Sequence, residues 1–176
     1  MRMVKKVVFP KDSILFNQNY DYTDSYRGYF LARNQKISLH DVVIAFFDTT
    51  PAFVVFLLYV RDRVVSLFGL KTNPQHYSKK KLLAAFKCDV GEALGLFKIH
   101  HVSDHEVVLG EDDKHLDFRV SLMLTYHNDQ NDADICITTT VHIHNLLGQL
   151  YFFPVKFFHR LIVPIMLKRM IKALDQ

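Results

Sequence analysis

The chain has 176 residues, 49% hydrophobic and 23% charged, enough for one domain with a real core and too apolar for disorder. A net charge of +4 makes no case for nucleic acid, and Cys88 and Cys136 lack the spacing of a disulfide framework or a structural zinc site. The aromatic load of 15 Phe and 8 Tyr, with no Trp, suits either a core or the wall of a ligand cavity.

The opening "MRMVKKVVFPKDSILF" has basic residues but no sustained apolar run before Pro10, Lys11 and Asp12. No signal peptide is expected, and with the isolated cysteines this predicts a cytoplasmic protein. Residues 10–24 are polar and tyrosine-rich, an irregular lead-in. "SYRGYFLAR" (25–33) then predicts a first strand, with Tyr26, Gly28 and Phe30 on one face and Tyr29 and Leu31 on the other. Ser38 and Asp41 form a capping-box-like start for the helix "LHDVVIAFFD". Thr50 and Pro51 open a second helix, as N-cap and N1, whose apolar positions keep helical spacing from Phe53 to Phe68 and end at Gly69. Its uncharged run, "PAFVVFLLYV", is short of the roughly 20 residues a membrane span needs and reads as buried. Residues 71–93 form a polar connection with room for a short helix after "SKKK".

Beyond Gly95 the period becomes alternating. "LFKIHHV" and "HEVVLG" make a tight hairpin around Ser103 and Asp104. Gly110 ends that strand, and "EDDKH" reads as a turn without the pattern of a calcium loop. "HLDFRVSLML" and "DICITTTVHIHN" form a longer hairpin around residues 127–133. After Gly148 the chain is helical to about Leu174, with Pro154 at N1 and Pro164 as a kink; Lys156, His159 and Arg160 interrupt its apolar run. The order predicts an α+β helix-grip domain spanning residues 1–176: an antiparallel sheet around a long C-terminal helix, with two helices after the first strand.

The long hairpin carries the candidate chemistry. Leu116, Phe118, Val120, Leu122 and Leu124 share one strand face, and His115, Asp117, Arg119 and Ser121 the other. In the next strand Ile135, Ile137, Thr139, Val141 and Ile143 alternate with Cys136, Thr138, Thr140, His142 and His144. Aligning the apolar faces sets Asp117 by His142, Arg119 by Thr140 and His115 by His144. A half-wet antiparallel sheet shows the same alternation without any function. Turned onto a cavity, Asp117 and His142, with Arg119, would be candidate proton-transfer groups. His142 and His144 share a face as two metal ligands would, but no specific zinc motif accompanies them, so no metal or cofactor is assigned. Lys156, Arg160, Lys168 and Lys172 recur at multiples of four, and no acid falls between Pro154 and Leu174. That stripe reads as a solvated helix face, or as an attraction to an anionic membrane or partner. No GxSxG elbow, P-loop or GxGxxG occurs.

Two segments, "VVLGEDDKHLDFRVSL" and "TTTVHIHNLLGQLYFFPVKFFHRLIVPIMLKRM", resemble a bacterial family of domains of unknown function in the START-like (SRPBCC, helix-grip) superfamily. The second resembles the family's LYW…PFHRLIF…ML pattern, with Phe152 where Trp is usual and Val163 where Phe is usual. The resemblance implies a helix-grip fold and no established reaction. It directs attention to Gly110, Glu111, Asp112, His115, Asp117, Arg119, His159 and Arg160. The leading expectation is a protein binding an apolar or amphipathic small molecule between sheet and C-terminal helix. Its polar group would be oriented by His115, Asp117, Arg119, Thr140, His142 and His144, or by Tyr151, His159 and Arg160. An enzyme using Asp117 and His142, and an adaptor using the basic helix, are the alternatives.

Overall fold

The computed structural model describes residues 4–32, 36–55, 79–127 and 132–175. The strands are β1 (Val4–Lys6), β2 (Tyr22–Leu31), β3 (Ala93–Leu94), β4 (Phe97–Val102), β5 (Glu106–Asp112), β6 (Leu116–His127) and β7 (Asp132–Ile143). The helices are α1 (Leu39–Asp48), α2 (Lys79–Ala85) and α3 (Leu146–Leu174). The strands form one sheet in the order β1-β2-β7-β6-β5-β4-β3, every pair antiparallel. This is an α+β domain with a long C-terminal helix, an arrangement compatible with a helix grip.

Side-chain alternation explains the layering. Tyr26, Phe30, Val120, Leu122, Ile135 and Ile137 bury one sheet face against Val42, Val43 and Phe46 of α1 and against Val163, Met166, Leu167, Met170 and Ile171 of α3. Burial of each such side chain contributes about 1.5–3 kcal/mol relative to exposure. Gly28 lets the helix come close, because a Cβ there would lie 2.2 Å from the Ile171 Cδ1. The register is the one alternation implied: Asp117 faces His142, Arg119 faces Thr140, and the His144 N–H donates to the His115 carbonyl at 2.9 Å.

α1 starts as expected, with Ser38 and Asp41 closing a reciprocal capping box. Other boundaries differ from the sequence reading. β1 is an added edge strand, and β2 starts at Tyr22, within the stretch read as irregular. Thr50 is not the N-cap of the following turn, since its hydroxyl donates back to the Phe46 carbonyl and the Pro51 carbonyl accepts the first bond, from Val55. Residues 52–55 are helical, and the rest of the expected second helix, to Gly69, lies outside the described residues. α2 begins at Lys79, inside "SKKK" rather than after it.

Gly110 does not end its strand: β5 runs on to Asp112, and the turn is confined to 113–115. A Cβ on Gly110 would meet the Phe118 carbonyl and the Arg119 Cδ, so the strand keeps its pairing while leaving space for Arg119. α3 begins at Leu146, ahead of Gly148. Asn145 caps it, its Oδ1 accepting the Gly148 N–H at 3.0 Å while its Nδ2 donates to the Lys114 carbonyl at 3.1 Å. Pro154 therefore lies inside the helix, as Pro164 does, rather than at N1.

Candidate functional site

Thr139 and Thr140 are neighbours on β7 and project to opposite faces of the sheet, and the nominated residues divide the same way. On the face away from α3, Asp117, Arg119, Thr140 and His142 line an open cleft of about 470 Å³. Its other wall is Leu15, Gln18, Asn19 and Tyr20, from the segment between β1 and β2. The middle of this sheet face is covered: Ser121, Asp134, Cys136, Thr138 and Thr140 are all buried. A freely wet polar face, one of the sequence alternatives, is therefore not what the strands present. Asp117 and Arg119 are half-buried at the rim, and His142 is exposed.

The covering segment is held by a carboxylate that the sequence reading did not single out. Glu106 on β5 is buried and accepts from the Ser13 hydroxyl at 2.6 Å, the Ile14 N–H at 2.9 Å and the Ser121 hydroxyl at 2.5 Å. A buried carboxylate needs such donors, and here they join the lead-in segment to the sheet. The signal was present in "HEVVLG". Val107, Val108 and Leu109 are apolar in succession, which marks burial on both faces, so the neighbouring acid had to find partners. The Tyr20 hydroxyl, 3.1 Å from both the Leu15 carbonyl and the Gln18 Oε1, closes the segment on itself. Burial raises the Tyr20 phenol above its ordinary value, which the neighbouring Thr140 and Arg119 partly offset.

Around the rim the charges are paired. The Asp117 carboxylate lies 3.0 Å from His144 Nε2 and accepts the Asp113 N–H at 3.1 Å. His142 Nδ1 lies 3.4 Å from Asp21 Oδ2, which also accepts the Ile143 N–H at 2.6 Å. Asp117 and His142 are thus cross-strand neighbours whose side chains hold different partners. Arg119 pairs with Asp112 and donates to the carbonyls of Phe118 and Glu111. The guanidinium holds the Asp112 carboxyl below the usual carboxylate range. His115 leans on the Asn145 side chain, at the start of α3 and outside the cleft lining. Among the described residues no three His, Cys, Asp or Glu side chains converge as a metal site. Cys88 and Cys136 are free and buried.

Tyr151, His159 and Arg160 belong to the other face, with α3. His159 Nε2 lies 3.1 Å from Thr139 Oγ1 and 3.3 Å from Asp24 Oδ1, and the Tyr22 hydroxyl donates to Asp24 Oδ2 at 2.5 Å. This explains the lone Thr139 on an apolar strand face: it meets the half-buried His159 of α3. Burial and the Asp24 carboxylate push the Tyr22 phenol well up. Arg160 and Lys156 lie 5.8 and 5.3 Å from the centre of the Tyr22 ring, and Tyr151 packs against the Tyr22–Phe152 cluster.

Residues 16–166 match the family described as "Protein of unknown function (DUF2867)". The chain belongs to that family. No curated protein and no solved structure matches it. The DUF2867 match takes in β2 through β7 and α3 as far as Met166, so Asp117, Arg119, Thr140 and His142 lie inside it together with Gln18, Asn19 and Tyr20. Lys168, Arg169 and Lys172 lie beyond it.

Proposed function

We propose that this DUF2867 domain has a START-like helix-grip fold and binds a small molecule, with the ligand's polar part in the cleft between residues 15–20 and the polar face of β6 and β7. One observation carries the reading: four side chains nominated from strand alternation line a single cleft of about 470 Å³. That volume falls in the ordinary range for small-molecule sites, roughly 300–1,000 Å³. The lining supplies a guanidinium, an imidazole, a carboxylate, two hydroxyls and two side-chain amides, so it suits a polar compound or the head of an amphipathic one. The site thereby moves from the space between sheet and α3 to the opposite sheet face. Asp117 and His142 each hold a different partner, which suits fixing a ligand better than passing a proton between them.

Native mass spectrometry of gently purified protein tests this. The wild type should carry a co-purifying small molecule, and Asn19→Trp, which fills the cleft from an exposed position, should lose it. An adduct equally abundant in both proteins, or none in either, would count against the cleft.

A further inference from the structure

Among the described residues, nothing covers the outer face of α3. Leu146, Leu150, Phe153 and Phe157 are 80, 73, 81 and 66% exposed, and Leu161 is 55% exposed. Steps of three and four residues put these five on one side of the helix, and Lys168 and Lys172 continue that side toward the C-terminus. A contiguous apolar stripe of this size is uncommon on a protein that meets only water. The segment Leu146–Leu174 holds Lys156, Arg160, Lys168, Arg169 and Lys172 and no acid.

We propose that the N-terminal half of α3 docks on an anionic membrane surface, lying in the interface with Leu150, Phe153 and Phe157 among the acyl chains and the lysines on the headgroups. Length and composition would also let α3 cross a bilayer. Its inner face argues for lying on the surface instead, because Val163, Met166, Leu167, Met170 and Ile171 are buried in the protein core and would be stripped from it by insertion. A second copy of the chain fits less well. Two such helices would bring ten cations together with no carboxylate on either, whereas anionic lipid supplies the missing charge.

The absence of tryptophan makes the test direct, since Phe157→Trp places a single reporter on the exposed stripe. With phosphatidylcholine–phosphatidylglycerol vesicles its emission should shift to the blue and be quenched by brominated lipid. Adding Lys168→Glu and Lys172→Glu should abolish the shift at moderate salt. In a sedimentation assay with the same vesicles, Phe153→Ser/Phe157→Ser should partition about a hundredfold more weakly than the wild type. Two results would overturn the proposal. One is an emission unchanged by anionic vesicles at low salt. The other is an emission already blue in buffer, which would mean that a second copy or another part of the chain covers the stripe.

Discussion

Glu106 shows how one side chain builds the candidate site. It receives two hydroxyls and a backbone N–H at a position closed to water, and two of those donors belong to the segment that walls the cleft. Glu106→Ala leaves buried donors without an acceptor, at about 1–3 kcal/mol each when no water replaces it. The expected loss is about 3 kcal/mol of stability in urea unfolding, with amide exchange at residues 13–20 rising more than in β6 or β7. Uniform exchange across the sheet and the segment would show that Glu106 does not hold the wall. Asp117 and His142 make a complementary point at this scale. Strand alternation correctly placed them opposite each other, yet it said nothing about which partner each side chain takes, because Asp21 comes from a segment without periodicity.

At the scale of elements, helix starts are where local sequence was most and least informative. Ser38 and Asp41 were legible because a capping box is a local motif four residues long. The Ser38 hydrogen bonds outweigh the burial of Asp41 and hold its carboxyl below the ordinary value. A depressed folded value means that this contribution is complete above about pH 4 and disappears as pH falls through the lower folded value. Asp41→Asn should therefore lower Tm at pH 7 and converge with the wild type near pH 2; a constant difference would remove the ionised carboxylate from the account.

The start of α3 was misplaced because Gly148 looked like a break. Its reason is tertiary: a Cβ there would lie 2.2 Å from the His115 carbonyl oxygen. Ala favours a helix over Gly by about 1 kcal/mol. Overpacking against backbone costs about 1–3 kcal/mol, and the clash should win. Gly148→Ala is expected to lower stability by about 1 kcal/mol, measured by urea unfolding, and a stabilised variant would show that the helix can shift outward freely.

For the whole molecule, the order of β2, α1, β4 to β7 and α3 and the β6–β7 register were legible in the sequence, because both follow from periodicity. It could not say which sheet face carries the cleft. That depends on residues 10–21, a stretch with no repeating pattern, crossing the polar side of β6 and β7 and being held there by Glu106. Nor could it separate the inner from the outer side of α3, since apolar residues occupy most of that helix's circumference. The result is a sheet with α1 and α3 on one side and a polar cleft under a short covering segment on the other.

In the proposed function the cleft, rather than the interior beneath α3, receives the ligand. Amide chemical-shift mapping on isotopically labelled protein, titrated with a library of small polar and amphipathic compounds, locates the bound ligand. Binding should perturb Gln18, Asn19, Tyr20, Asp117, Arg119, Thr140 and His142 as one saturable group. Perturbations confined to Tyr22, Asp24, Thr139 and His159 would place the ligand on the helix side and contradict the account.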